Sequence, residues 1–217
     1  MFTKIAYVAA VAAAAGLGLV GPGSAGAAPV PMGGGSGIVI DDRTECTLAT
    51  IGNDNAGRLV GFTAGHCGEG GAQVVSEQNP DAGTIGRFAY SNPDLDYAVI
   101  EFDRAKVTPV NRIGNTTIAR IGSPAQFPNI VCKQGRTTGN TCGLAYGDVF
   151  GSNVETWSQM CVVEGDSGAP VVVGDTLVSM VNAYLAVACV GPEVGTNMST
   201  IMEAANRGGV GAGFAPI

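Results

Sequence analysis

The sequence is poor in aromatic residues (6%) and in charge (13%), and His66 is the only histidine in 217 residues. Basic residues are scarce as well, with 11 Lys and Arg against 18 Asp and Glu and a net charge of −7. No Lys or Arg cluster occurs anywhere in the chain. A chain without a basic patch cannot neutralise a phosphate backbone, so nucleic acid is not an expected partner, and the acidity reads as a solubility feature. No Cys-x-x-Cys is present and one histidine cannot complete a zinc ligand set, so neither metal nor cofactor is expected.

Long apolar runs are also missing. The stretch from Ile5 to Val20 has sixteen apolar or small residues, short of the roughly 20 that cross a bilayer. Lys4 precedes it and Ala25-Gly26-Ala27 follows it, which is the layout of a secretory signal peptide spanning residues 1–27, cleaved after Ala27 or Ala28. The competing reading is a membrane anchor, but nothing after Pro29 resembles a stop-transfer flank. The mature chain is therefore expected to be secreted, soluble, monomeric and free of the membrane. Removing the signal takes away Lys4 and no acid, so the mature protein is slightly more acidic still.

Cysteine is not scarce. All six (Cys46, Cys67, Cys132, Cys142, Cys161, Cys189) follow the signal segment, and an even count in an exported chain suggests disulfides. The loop-like segments between neighbours favour sequential pairing, Cys46 with Cys67, Cys132 with Cys142 and Cys161 with Cys189. Each bridge is worth about 2–5 kcal/mol.

Short β-type runs recur every eight to twelve residues: Gly37 to Asp41, Thr47 to Ile51, Leu59 to Thr63, Gln73 to Ser76 and Tyr97 to Phe102, then Ile130 to Cys132, Leu144 to Phe150, Val154 to Trp157, Pro170 to Val173 and Leu177 to Val181. Val, Ile and aromatic residues fill them, and Gly, Asn, Asp or Pro separate them, which is the spacing of an all-β sandwich or barrel. The strand signal fades between Val110 and Pro128. This suggests an N-terminal β unit with its leader over 28–115 and a C-terminal β unit over 116–217. One helix is expected near the end, where Thr200-Ile-Met-Glu203 reads as a capping box and Gly208-Gly209 as a stop. The glycine-rich stretches 33–37 and 208–213 read as mobile tails.

Gly165-Asp166-Ser167-Gly168-Ala169 is the sharpest local feature. A serine between glycines on a tight turn presents its hydroxyl beside backbone N–H groups, and those of Gly165 and Ser167 would form an oxyanion hole worth roughly 3–4 kcal/mol per donor. Alone, the motif could equally be an ordinary β-turn. A serine nucleophile needs a base within about 3 Å, and His66 is the only histidine available. It stands in Thr63-Ala64-Gly65-His66-Cys67, anchored by a bridged cysteine. A carboxylate must orient that imidazole, and Asp96, leading into the apolar run Tyr97 to Ile100, would be costly there without a buried partner. Asp94 is the alternative, in what reads as an exposed turn beside Pro93.

Thr-Ala-Gly-His-Cys, then Asp-Tyr-Ala, then Gly-Asp-Ser-Gly resembles the chymotrypsin-like serine proteases in their bacterial secreted branch, the streptogrisins and alpha-lytic protease. The likeness covers roughly residues 44 to 200 and extends to Val131 to Gly139 and to Cys161. It implies two six-stranded antiparallel Greek-key β-barrels packed face to face, with a short C-terminal helix. His66 and Asp96 would come from the first barrel and Ser167 from the second, with a protein or peptide substrate in the cleft between them. It also implies a buried ion pair between Asp166 and Arg136. The chain order His, Asp, Ser and the Ala169 position both argue against an α/β-hydrolase.

Departures from the family pattern remain. Only about ten residues stand where the relatives carry a long pro-region, and Ala169 replaces a glycine. Asn182-Ala183-Tyr184 replaces the segment that lines the specificity pocket, where Tyr184 would shrink or close it. Gln159, two before Cys161, is not an acid, so cleavage after Lys or Arg is not expected and small apolar residues are favoured. The expected activity is serine endopeptidase. The alternative is an inactive protease-like protein that binds a partner with an occluded cleft.

Overall fold

The structure, a computed structural model, describes residues 28–217; the signal-peptide expectation for 1–27 lies outside them. The first half contributes β1 (Val30–Met32), β2 (Gly37–Ile40), β3 (Thr44–Thr47), β4 (Thr50–Asn53), β5 (Leu59–Ala64), β6 (Gln73–Ser76), β7 (Thr84–Asn92), β8 (Tyr97–Phe102) and β9 (Val107–Pro109). Short β10 (Arg112–Ile113), β11 (Thr116–Thr117) and β12 (Arg120–Ile121) cross to the second half. There follow β13 (Ile130–Gly135), β14 (Gly139–Gly147), β15 (Glu155–Ser158), β16 (Pro170–Val173), β17 (Thr176–Tyr184), β18 (Glu193–Asn197), helix α1 (Met198–Gly208) and β19 (Ala215–Pro216).

The chain has the chymotrypsin-like two-barrel fold implied by the motifs. In the second half the order β17-β16-β13-β14-β15-β18 closes on itself through β17 and β18, giving a six-stranded barrel. The first half curls in the order β4-β5-β8-β7-β6-β2-β3 and stays open between its ends. There Leu48 and Ala49 carry the chain from β3 to β4 without a ladder. β8 is buried along almost its whole length, as a strand covered on both faces requires. β13 instead alternates, with Val131, Lys133 and Gly135 buried, so side chains two apart share one face. The three disulfides join the expected sequential pairs.

The two halves are stitched by few but specific bonds. Thr47, fully buried, donates its N–H to Ser167 O at 2.8 Å and its Oγ1–H to Gly165 O at 2.8 Å. Arg136 N–H donates to Thr47 Oγ1 at 3.1 Å, and Thr196 Oγ1 donates to Leu95 O at 2.9 Å. Side chains of both halves share one apolar cluster, in which Val172, Leu177 and Met180 meet Leu48, Ile51 and Phe62.

Several local expectations are corrected. The helix begins at Met198, three residues before the expected start, and Thr200 makes no cap; its hydroxyl donates to Asn153 O. Met198, Ile201, Ala204 and Ala205 pack into the apolar cluster that both halves share, and tertiary burial thus sets the start. Residues 33–37 and 208–213 are not mobile tails. Gly35 N–H donates to Leu48 O, Gly211 N–H to Asp54 Oδ2 and Gly213 N–H to Asn206 Oδ1. β19 then pairs with β4, so the C-terminus returns to the first sheet. The run Leu144 to Phe150 is strand only to Gly147, and β7 and β18 carried no strand expectation.

Candidate active site

His66 sits in a single 3-10 turn, Gly65–Cys67, at the end of β5. That turn is pressed against the start of β8: a Cβ on Gly65 would lie 2.9 Å from Tyr97 N and 3.0 Å from Asn92 O. Any other side chain there would push His66 away from Asp96, and the Cys46–Cys67 bridge holds the next residue. Asp96 has a positive φ of 47°, unusual for a residue other than glycine. Its carboxylate is held by three donors. Oδ1 accepts His66 N–H at 2.8 Å, both oxygens face His66 Nδ1 at 3.0 and 2.8 Å, and Oδ2 accepts from Asn182 Nδ2 at 2.8 Å. Asp94 stays in the exposed turn, where its N–H donates to Asn92 Oδ1.

Ser167 approaches from the second barrel, with Oγ 2.8 Å from His66 Nε2. An ionised carboxylate only accepts, so Nδ1 carries the imidazole proton and Nε2 is left to accept from Ser167 Oγ–H. The hydrogen bond to Asp96 raises the His66 pKa above its ordinary value, against desolvation. For Asp96, burial pushes the carboxyl up, but the His66 and Asn182 hydrogen bonds outweigh it and hold it low.

The serine turn is tightly built. Gly168 has φ +85° and a Cβ there would lie 2.2 Å from Thr47 O, so only glycine fits. Ala169, where the resemblance expected glycine, is fully buried in the apolar cluster of the second barrel, which absorbs its methyl. Among the described residues the N–H groups of Gly165 and Ser167 have no acceptor, while Thr47 pins Gly165 O from behind. Cavities of about 830 and 570 Å³ flank the site. The first is lined by Glu69, Tyr90 and Asp96, the second by Glu45, Arg136, Gly165 and Ser167, and His66 lines both.

The ion pair of Asp166 with Arg136 is corrected. Asp166, fully buried, pairs with the equally buried Lys133, whose Nζ lies 3.3 Å from Oδ2. Thr137 N–H and Thr138 N–H donate to Oδ1 at 3.1 Å, and Thr138 Oγ1 donates to Oδ2 at 2.6 Å. Arg136 turns outward to Glu77 and Glu45. The reason is strand parity: Lys133 shares the inner face of β13 with Val131 and Gly135, and Arg136 falls on the opposite parity. Two of the expected pocket residues also have bonds of their own. The Asn182 amide supports Asp96 and its Oδ1 accepts Thr196 N–H, while Gln159 ties Tyr146 to the backbone at Val190. Tyr184 packs against the apolar cluster of the second barrel and Ala183 is exposed.

Glu193, unmentioned by any motif, is buried beside Lys133. It accepts the Ser158 hydroxyl through Oε1, while Oε2 has no partner among the described residues. Burial pushes its pKa up to about 8, against the Ser158 hydrogen bond and the Lys133 charge. Burial likewise pushes the Lys133 ammonium down, against the pull of Asp166 and Glu193.

No protein-family model matches the chain, and no curated protein matches it. Solved structures do. The chain is similar to Nocardiopsis protease (22% identity, TM-score 0.69, 82% of this chain and 97% of that one). It is similar to Thermobifida fusca protease A (20%, 0.70, 87% and 100%) and to Cellulomonas bogoriensis chymotrypsin (26%, 0.67, 87% and 99%). These neighbours are serine proteases of the chymotrypsin fold, as the motif resemblance implied.

Two predictions follow from the buried charges. Lys133→Ala strands Asp166 and costs about 3–5 kcal/mol in denaturant unfolding, whereas Arg136→Ala, which loses partly exposed partners, costs at most about 1 kcal/mol. Equal costs would contradict the assignment. Glu193 holds its proton more tightly folded than unfolded, so its contribution to stability is full below about pH 4.5 and lost as pH rises to about 8. Thermal unfolding of Glu193→Gln across pH 4–9 should show a flatter decline than wild type.

Proposed function

We propose that this chain, which has the fold of the bacterial chymotrypsin-like serine proteases, is a secreted serine endopeptidase using His66, Asp96 and Ser167. The observation that carries the reading is the unbroken line from Asp96 through His66 to Ser167 Oγ, with 2.8 Å at each end. In this reading His66 Nε2 takes the Ser167 proton as Oγ attacks the peptide carbonyl. The Gly165 and Ser167 N–H groups stabilise the oxyanion of the tetrahedral intermediate. Asp96 stabilises the imidazolium that forms, and that imidazolium then protonates the leaving amine, leaving an acyl-enzyme on Ser167 for water to hydrolyse. Cavities on both sides of His66 suit a polypeptide that passes across the site.

Secretion is supported by the N-terminal segment and by three disulfides, which persist in oxidising compartments. Among the described residues no helix is long and apolar enough to cross a membrane. We place the division between the barrels near residue 115, with the terminal strand reaching back to the first. Tyr184, packed inward where a pocket would open, favours a small residue before the cut bond and also motivates the second reading, an occluded protein that binds without cleaving.

A fluorophosphonate probe should label Ser167 in the wild type and not in Ser167→Ala or His66→Ala. Labelling should fall as pH drops through a His66 pKa above the ordinary value of about 6.5, because protonated imidazole cannot accept the serine proton. A folded wild type that resists labelling at pH 8 would leave only the occluded binding protein. Tyr184→Gly should extend cleavage in a peptide-library digest from small residues to Leu, Phe and Tyr before the cut. An unchanged profile would show that Tyr184 does not close the pocket.

A further inference from the structure

The turn that joins β13 to β14, Arg136 to Thr138, lies against the serine loop. Thr137 Oγ1 donates to Glu164 O at 2.9 Å and accepts from Arg136 Nη1 at 3.3 Å. A hydroxyl has one proton to give, so the guanidinium on one side directs that proton to the carbonyl on the other. Arg136 is itself fixed from the first half of the chain. Its Nε donates to Glu77 Oε2 at 2.8 Å and its Nη2 to Glu77 Oε1, while its Nη1 lies 2.9 Å from Glu45 Oε2. A line of polar contacts thus runs from Glu77 and Glu45 through Arg136 and Thr137, crosses between the halves and ends on a backbone carbonyl.

That carbonyl belongs to the peptide whose N–H is the Gly165 donor of the proposed oxyanion hole. The C=O and N–H of a trans peptide point opposite ways, so holding Glu164 O toward Thr137 aims Gly165 N–H away from it. Neighbouring peptides of the loop are held by other groups: Asp166 N–H donates to Val163 O and Thr47 Oγ1 donates to Gly165 O. Among the described residues, Glu164 O accepts from the Thr137 hydroxyl alone. Turning a peptide over changes ψ of the residue before it and φ of the residue after it, and glycine takes either sign of φ at little cost. Gly165, at φ +89°, therefore offers little resistance of its own. A side chain cannot stiffen it, since a Cβ there would lie 2.7 Å from Arg136 Nη1 and against Thr137 Oγ1.

We propose that Thr137 is the positioning residue that keeps the oxyanion hole formed, and that Arg136, tied to Glu77 and Glu45, orients it. This rests on the peptidase reading and adds to it a dependence of the hole on the contact between the two halves. One oxyanion donor is worth about 10²–10³ in kcat, so a site whose Gly165 N–H is turned away most of the time loses at least about tenfold. Ground-state binding gains little from that N–H, so KM changes little.

Thr137 is exposed, so Thr137→Val removes the hydroxyl without disturbing the core, and Thr137→Ser keeps it. The test measures kcat and KM of both variants and of Arg136→Ala on an acetylated tetrapeptide p-nitroanilide ending in Ala. It adds inhibition by the matching peptide aldehyde and the crystal structure of Thr137→Val. Ser167 Oγ bonds to the aldehyde carbon as its proton passes to His66 Nε2, and the carbonyl pair moves onto the oxygen that occupies the hole. Thr137→Val should lower kcat at least about tenfold, weaken the aldehyde by the same factor and leave KM within about twofold. Its 164–165 peptide should be reversed. Thr137→Ser should restore the wild-type behaviour, and Arg136→Ala should fall between the two. Arg136→Ala at the wild-type rate overturns the orienting role of Arg136. A Thr137→Val structure with the wild-type peptide orientation, or a reversed peptide with kcat unchanged, overturns the role of Thr137, while cleavage by the wild type still upholds the peptidase reading. A reversed peptide in Thr137→Val, when the wild type cleaves nothing, upholds Thr137 as the group that aims Gly165 N–H and overturns the peptidase reading.

Discussion

Thr47 is the joint on which the site depends. His66 and Asp96 hang from the first sheet and Ser167 from the second barrel, so a 2.8 Å contact between them requires the two halves to be registered to a fraction of an ångström. Thr47 provides that register with one residue: its N–H holds Ser167 O, its hydroxyl holds Gly165 O and accepts from Arg136 N–H, and its carbonyl accepts from Thr63 Oγ1. Thr47 itself is fully buried, and its bonds lie in a buried or part-buried seam, where a hydrogen bond left unmade costs about 1–3 kcal/mol. The seam therefore resists sliding, and the serine turn is fixed against the histidine turn when the halves close. Asn182 adds a second tie by carrying the end of β17 to Asp96.

The turn itself is held by charge placed where water cannot screen it. Asp166 satisfies both carboxylate oxygens through Lys133, Thr137 and Thr138, all within the second barrel. Its countercharge is thus supplied when that barrel folds. Glu193 is a second buried acid beside the same base, and burial in a dry interior raises its pKa against the Ser158 hydrogen bond and the Lys133 charge.

The residues of the proposed triad stand out in the sequence because each sits in a motif whose neighbours have local jobs: Gly65 for close approach, Cys67 as anchor, Gly168 for positive φ. Residues acting across the fold were harder to read. Lys133 takes the place that the family resemblance implies for Arg136, although the alternation Val131, Lys133, Gly135 carries the inward parity in plain view. Asn182 had no such signal, since its partner lies 86 residues away and only the meeting of the barrels defines the contact. Glycine content in the two end segments suggests freedom, whereas the folded chain uses Gly33, Gly34, Gly35, Gly37, Gly211 and Gly213 for close packing.

The central claim is that Asp96 fixes and polarises the single imidazole so that it can take the proton of Ser167. Nitrogen-15 NMR of histidine-labelled protein tests it directly, because the one histidine gives one pair of ring signals. The account predicts a neutral imidazole protonated at Nδ1, titrating above the ordinary histidine value, with both features lost in Asp96→Asn. An Nε2-protonated ring, or a titration that Asp96→Asn leaves unmoved, would contradict it.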